Sequence, residues 1–140
     1  MCIRDRHFWR YTAARDTWIT AEMSVLRRDF LPGDLLPELK AAGFAGSIAV
    51  QADQSDAETS FLLDLADRNP AIRGVVGWVD LCAPDVSARL EKYSRAAKLS
   101  GFRHIAQAEA DDFLLRADFS RGIDALKRFD FTYDLSLIHI

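Results

Sequence analysis

Several features that would assign the chain to a common functional class are missing from its sequence. Basic residues are not in surplus: the 140 residues carry a net charge of −3, which disfavours nucleic acid as a partner because phosphate binding needs a basic face. No apolar run approaches the roughly 20 residues that cross a bilayer, and the N-terminus has no apolar segment typical of secretory signals. We therefore expect no membrane partner and no secretory signal.

Cysteine is scarce too. Cys2 and Cys82 are the two cysteines of the chain; they lie far apart, and their spacing matches no metal site. Cys82 is interpreted as a small buried or loop residue rather than a disulfide partner. This usage fits a reducing compartment and predicts a cytoplasmic location.

What the sequence does contain is a repeated short apolar run. Four such runs close on a polar or aromatic residue and recur every 27 to 30 positions, at residues 47–51, 74–78, 101–107 and 131–134. The first three lead into helical patterns, which predicts strands alternating with helices. A (β/α)₈ barrel and a doubly wound sheet both give this period. No run is followed by the glycine-rich phosphate turn of dinucleotide-binding folds, which favours the barrel.

Helices are expected between these runs, at about residues 34–42, 55–69, 84–98 or 100, and 120–129. The clearest start signal is the capping box at 55–58, and the clearest stop is Asn69-Pro70. The aromatic segment 7–32 lacks a helical or strand period and is predicted to be a long functional loop. A complete barrel has eight strands and typically ~250 residues, so this length predicts an incomplete barrel of about four to five strands.

The two ends of the chain differ in character from its body. Residues 1–6 fit neither a strand nor a helix cap, and residues 136–140 follow directly on a predicted strand. We interpret both as non-native tails around a partial barrel domain at residues 7–135. On this interpretation the chain is a fragment, and we expect it to be inactive alone and prone to associate through an open sheet edge.

Five motifs, in order along the chain, resemble a known family. They are HFWRY at 7–11, VLRRDFLP at 25–32, AVQA at 49–52, VVGWVDL at 75–81 and GFRH at 101–104. The chain is similar to the amidohydrolase-related hydrolases, in the branch of sugar-acid lactonases that includes L-fuconolactonase. The resemblance implies the first half of a TIM-like barrel and hydrolysis of a lactone ring, with a small lactone or sugar acid as the partner molecule.

The resemblance also implies a divalent metal, zinc in particular, in the complete protein. The family's first strand ends in a His-x-His pair followed by Phe-Trp. His7 takes the second histidine position and is the expected metal ligand, while Asp5 stands at the first position. The family's other ligands and its catalytic carboxylate belong to later strands. The chemistry implied is attack on the lactone carbonyl by a metal-activated water.

Two neighbouring residues at the exit of the third run are candidates for the chemistry itself. His104 is predicted to be catalytic, by polarising the lactone carbonyl; the alternative is a core histidine with its nitrogens satisfied. Arg103 is predicted to clamp a carboxylate or lactone oxygen. Its alternative is an ion pair with Glu109 or Asp111.

Four further side chains are candidates for binding the substrate. Gln51 and Gln107 could read sugar hydroxyls at the mouth of the barrel, or be ordinary residues at strand exits. Trp9 and Trp78 could stack on a sugar-like ring, or pack at the barrel rim. Parallel strands carry all of these positions towards one mouth.

Two other functions remain open. A decarboxylase or dicarboxylate lactonase of the same superfamily would need an additional arginine to hold a second carboxylate. A flavodoxin-like binding module would need a complete open sheet with a cofactor seat where the strand order reverses.

Overall fold

Parallel strands follow one another across a single sheet in chain order. The structure, a computed structural model, describes residues 5–135. Within them the strands are β1 (Asp5–Arg6), β2 (Ser47–Val50), β3 (Ile72–Gly77), β4 (Leu99–Phe102) and β5 (Thr132–Tyr133). Each neighbouring pair is parallel. The sequential order confirms the predicted α/β half-barrel and differs from the 2-1-3-4-5 order of a flavodoxin-like sheet.

Helices connect the strands at nearly the predicted places. They are α1 (Pro32–Ala41), α2 (Asp56–Arg68), α3 (Val86–Tyr93) and α4 (Ala117–Leu126), with a 3₁₀ turn at Lys127–Phe129. The expected end of α3 at residue 98 or 100 is wrong, because Ser94 turns its hydroxyl back to the Glu91 carbonyl and competes with the helix ladder. Helix α1 begins two residues before the predicted residue 34: Asp34 is its third residue, and its carboxylate accepts from the Leu31 amide. Within the described residues, no helix is long and apolar enough to cross a bilayer.

The fourth strand is shorter than predicted at its carboxyl end. We expected a strand over residues 101–107, but β4 begins at Leu99 and ends at Phe102. One more ladder bond follows, from the Arg103 amide to the Gly77 carbonyl (2.9 Å). Beyond it, the neighbouring strands have ended and the chain turns into a 3₁₀ segment at Ala106–Ala108. His104 therefore lies in a loop and Gln107 in the 3₁₀ segment, both beyond the end of β4.

The amino-terminal boundary also needs correction. Asp5 and Arg6 form β1 and pair with Ile48 and Ala49 of β2. The expectation that residues 1–6 fit no strand is therefore wrong at these two positions, because the edge of β2 offers a free hydrogen-bonding row. Residues 1–4 and 136–140 lie outside the described part of the chain, and the non-native origin of the two tails stays a prediction.

The core lies between the sheet and the helices on its outer side. Ile72 and Val75 of β3 are fully buried, as is expected for a parallel strand covered on both faces. The predicted apolar stripes of the helices meet them, with Leu62 of α2, Leu90 of α3 and Leu126 of α4 all 2% exposed or less. This packing holds the carboxyl edge of the sheet rigid.

A hydroxyl joins α2 to the exit of β3. Thr59 is fully buried, and its Oγ1 accepts from the Trp78 amide (2.8 Å) while donating to the Trp78 carbonyl (2.7 Å). Gly77 makes this close approach possible: a Cβ added there would lie 2.6 Å from the Thr59 methyl group. The helix and the strand end therefore sit closer together than a side chain at residue 77 would allow.

The turn between β2 and α2 is held by a buried carboxylate. Ser55 caps α2 as predicted, accepting from the Glu58 amide (3.2 Å). The Glu58 side chain does not complete the capping box but accepts from the amide of Ala52 (3.0 Å). Glu58 is only 4% exposed, and this desolvation raises the pKa of its carboxyl above the usual range.

The close contact at Gly77 predicts a large effect of a single methyl group. Gly77→Ala should lower the free energy of unfolding by about 1–3 kcal/mol, because Thr59 has no room to move. Urea denaturation of the chain measures this change. Gly33→Ala is the matched control, since a Cβ there meets nothing within 4 Å and an alanine in α1 should be neutral or stabilising by up to ~1 kcal/mol. Equal midpoints for the two variants would contradict the packing described.

The burial of Glu58 predicts a pH dependence of stability. The folded chain holds this proton more tightly than the unfolded chain, so the stabilisation is complete below about pH 4.3 and is lost as the pH rises through the raised pKa. Glu58→Gln cannot titrate. The urea midpoint of the wild type relative to Glu58→Gln should therefore be highest at pH 4 and fall towards pH 7.

Asp16 provides a control of opposite sign. Burial alone would raise the pKa of Asp16, but the bonds from Arg15 and from the Thr12 amide lower it below the usual range. The urea midpoint of the wild type, compared with that of Asp16→Asn, should therefore decrease as the pH falls through the lowered pKa. If the difference in urea midpoint between wild type and variant changed with pH in the same direction for Glu58 and for Asp16, the opposite pKa shifts of the two carboxyls would be contradicted.

Candidate functional site

A cavity of about 930 Å³ opens at the carboxyl edge of the sheet. His7, Gln51 and Arg103, which follow β1, β2 and β4, line it from the strand ends. The loop between β1 and α1 lines another part of it. The remaining lining residues are Trp9, Arg15, Asp16, Trp18, Ala52, Asp53, Gln54, Ile105 and Gln107.

Five of the seven side chains predicted for the site line this cavity. They are His7, Trp9, Gln51, Arg103 and Gln107. The exits of β2 and β4 meet directly, since the Gln51 amide nitrogen donates to the Arg103 carbonyl (3.4 Å). The remaining two predicted residues, Trp78 and His104, are not among the described residues that line the cavity.

His104 and Trp78 bind each other instead. The indole N–H of Trp78 donates to Nδ1 of His104 (3.2 Å), so the histidine proton is on Nε2, which donates to Glu109 (2.8 Å). The imidazole also stacks on Phe113 at 4.7 Å between ring centroids. Both ring nitrogens are satisfied, as in the alternative interpretation of His104, and this geometry does not support a catalytic role. Glu109 is engaged with His104 and is therefore not an ion-pair partner of Arg103 in this arrangement.

Three cavity-lining residues carry buried polar atoms that have no hydrogen-bond partner within residues 5–135. They are the indole N–H of Trp9, the amide oxygen of Gln51 and Nε of Arg103. Such an atom costs about 1–3 kcal/mol when it stays unpaired, so native structures rarely keep several together without a reason. Each of these atoms has less than 1 Å² of accessible surface and is enclosed by its neighbours, so a ligand in the cavity reaches it only after those neighbours move. Ser47 and Tyr133 carry buried oxygens of the same kind but are not among the described residues that line the cavity.

His7 has a defined tautomer. Its Nδ1 lies 3.0 Å from the Val50 carbonyl and 3.1 Å from the Gln51 carbonyl. Both are acceptors, so Nδ1 carries a proton, and in the neutral ring Nε2 is the nitrogen with the lone pair. A histidine that binds a metal is usually held in this way, with its second nitrogen bonded to a carbonyl or carboxylate.

One histidine does not make a metal site. A structural or catalytic metal needs at least three protein ligands, and the described residues contain no group of three or more His, Cys, Asp or Glu side chains that could hold an ion. The residues present therefore do not fit a complete metal centre, and no chemical step follows from one.

Sequence reasoning missed the part of the site that the loop contributes. Arg15 donates twice to Asp16, from Nε (2.7 Å) and Nη2 (2.9 Å), and the Thr12 amide donates to the same carboxylate (2.8 Å). Asp16 is 7% exposed. Because this loop has no periodic pattern, its aromatic content predicted a functional role but did not identify Arg15, Asp16 or Trp18.

The charges around the cavity offset one another. Arg15 and Arg103 supply two positive charges, and Asp16 and Asp53 supply two negative charges. The Arg15 and Asp16 side chains form a bidentate pair, which leaves little net field from the loop side. The cavity is therefore suited to a ligand that is polar but uncharged.

Known proteins resemble this chain in sequence. Over 132 residues it is 48% identical to an L-fucono-1,5-lactonase of Burkholderia multivorans, covering 93% of this chain and 44% of that protein. An L-fucono-1,5-lactonase of Burkholderia ambifaria is 33% identical over 130 residues, which is 92% of this chain and 45% of that protein. The chain thus spans slightly under half the length of these relatives.

Solved structures resemble its fold. An amidohydrolase from Burkholderia multivorans with bound zinc superposes with a TM-score of 0.89 at 48% identity, over 94% of this chain and 47% of that one. A probable 2-pyrone-4,6-dicarboxylic acid hydrolase from Acinetobacter baumannii gives a TM-score of 0.71 at 12% identity over the same shares, which concerns the fold alone. These neighbours agree with a partial TIM-like barrel.

The amidohydrolase family model matches residues 5–139. This match covers nearly the whole chain, and it agrees with the strand order, the cavity at the strand ends and the two lactonase relatives. The chain belongs to the amidohydrolase family.

Proposed function

We propose that the complete protein is a hydrolase that opens the lactone ring of a sugar acid. The observation that carries the proposal is the cavity at the strand ends, which His7, Gln51 and Arg103 line together with residues of the loop. The names of the two relatives, both L-fucono-1,5-lactonases, supply the substrate class. Water adds to the lactone carbonyl carbon, the acyl C–O bond of the ring breaks, and the released ring oxygen takes up a proton to become a hydroxyl. The open-chain sugar acid then ionises to a carboxylate and a proton.

Three side chains of the cavity wall have proposed roles in substrate binding that follow from their chemistry. The Trp9 N–H and the Arg103 guanidinium donate to oxygen atoms of the lactone, and the Gln51 oxygen accepts from a ring hydroxyl. Gln107 lies in the cavity wall and is a second side chain that forms hydrogen bonds with the sugar hydroxyls. We propose a positioning role for His104, which ties the β4 exit to Trp78 at the β3 exit.

A metal is proposed only for the complete protein. The tautomer of His7 suits a ligand that binds through Nε2, and the Burkholderia multivorans structure carries zinc. When bound, a divalent metal would polarise the carbonyl or activate water. The further ligands are not found within residues 5–135. The cytoplasmic location likewise stays a prediction.

The charge pattern favours a sugar lactone over a dicarboxylate. A second carboxylate requires an additional arginine, and Arg15 is such a residue in the cavity wall. Its guanidinium is already bound by Asp16 through two hydrogen bonds. Breaking this pair would leave the Asp16 carboxylate buried and unpaired, which is costly.

Joining this chain to the missing half of a relative tests the proposal. A chimaera of residues 1–135 with the carboxyl-terminal half of the Burkholderia multivorans lactonase should hydrolyse L-fucono-1,5-lactone, because the two halves restore one barrel mouth. Acid release followed with a pH indicator measures the reaction. The isolated chain should show no turnover, and the intact relative is the positive control. A chimaera that melts cooperatively but leaves the lactone intact would contradict the proposal.

The role of Arg103 can be tested in the same chimaera. Arg103→Lys keeps the charge but loses the planar fork, so we expect kcat/KM to fall by about 10- to 100-fold. Arg68→Lys is the matched control, since Arg68 is exposed on α2 and pairs only with Asp64 among the described residues. An Arg103→Lys enzyme as active as the control would exclude a directed hydrogen bond from this guanidinium.

A further inference from the structure

We infer that Trp18 is the residue on which the sugar ring of the substrate stacks. This inference rests on the proposed function and adds to it a residue that determines specificity for a ring. Trp18 lines the cavity, and its side chain is 56% exposed. A large apolar ring that stays exposed at a cavity wall gains free energy when a ligand covers it.

The other two tryptophans are already engaged. The Trp9 ring packs on Phe30 with 4.5 Å between ring centroids. Phe30 is also covered by the Arg28 guanidinium, which lies 3.8 Å from the Phe30 centroid. The Trp78 ring donates a hydrogen bond to His104. Trp78 is not among the described residues that line the cavity. Within residues 5–135, Trp18 has neither a hydrogen bond from its side chain nor a ring contact.

The backbone around Trp18 is held on both sides. Asp16, two residues before it, is buried and bonded to the Thr12 amide and to Arg15. Ile19, the next residue, is 2% exposed, and its carbonyl accepts from the Arg27 guanidinium at 3.0 and 3.3 Å. The backbone that carries Trp18 is therefore fixed on both sides at the cavity wall.

The combination of surfaces matches a saturated sugar ring. Such a ring has an apolar face of C–H groups and a rim of hydroxyls. Trp18 offers the apolar surface, while Gln51 and Arg103 offer hydrogen-bonding atoms at the strand ends. The open-chain acid that hydrolysis produces has no such flat face, so stacking on Trp18 favours the substrate over the product.

Binding of two sugars tests this without any reaction. L-fucose keeps the ring and has no lactone to hydrolyse, whereas L-fucitol carries the hydroxyls on an open chain. Saturation-transfer NMR titrations of the full chain should show L-fucose binding at least about fivefold tighter than L-fucitol. Trp18→Ala should weaken L-fucose binding by about five- to tenfold, and Trp18→Phe by less than about threefold.

Val25 provides the matched control. It lies in the same loop, is 74% exposed and does not line the described cavity, so Val25→Ala should bind L-fucose as the wild type does. The urea midpoint of Trp18→Ala should equal that of the wild type. A lowered midpoint would mean that Trp18 packs structurally and would overturn the inference.

Two other results would also overturn it: unchanged L-fucose binding by folded Trp18→Ala, or a wild type that does not prefer L-fucose to L-fucitol. Neither result depends on the lactone assay of the chimaera. The two proposals can therefore fail separately. If Trp18 is needed for binding the ring and the folded chimaera is inactive, the stacking role is supported and the proposed lactonase activity is contradicted.

Discussion

The parallel hydrogen-bond ladder between β2, β3 and β4 is the constraint on which the site depends. It continues one residue past each strand, from the Gln51 amide to the Val76 carbonyl and from the Arg103 amide to the Gly77 carbonyl, both 2.9 Å. Because all strands run the same way in sequential order, these two residues leave the sheet at the same edge. Thr59 and Gly77 then set how closely α2 approaches that edge. The cavity is therefore built on rigid backbone, and the loop only completes it.

The same edge concentrates groups that are unfavourable for folding. Trp9, Gln51 and Arg103 bury polar atoms without partners within the described chain, and Glu58 is a desolvated carboxylate that fixes the adjoining turn. The apolar core between the sheet and the helices offsets these costs. Ser47 and Tyr133 carry buried oxygens of the same kind without lining the described cavity, so these atoms alone do not mark a binding site.

Sequence reasoning succeeded where a period was present and failed where none was. The spacing of the apolar runs located the exit of β2, and hence Gln51, and it identified the run of β4 that carries Arg103. It extended β4 to residue 107, although the partner strands end earlier, and so placed His104 and Gln107 on a strand. The hydrogen bond between Trp78 and His104 depends on the direction in which the chain turns after β3 and after β4. The spacing of residues in the sequence does not predict that direction. The loop residues Arg15, Asp16 and Trp18 are set by local hydrogen bonds, which leave no periodic trace.

Recognition at this site must rest on shape and hydrogen bonds more than on charge. Two arginines and two aspartates line the cavity, and Arg15 and Asp16 form an ion pair that offsets the charge of the loop side. A neutral lactone loses little by entering such a site, because no ion has to be stripped of water. The product of the proposed reaction would be an anion with a flexible chain, and Arg15, the described cation on the loop side of the cavity, is already paired with Asp16. If the proposed function holds, such a cavity would favour the closed lactone over the opened acid, because the reaction itself creates a charge that the cavity does not match.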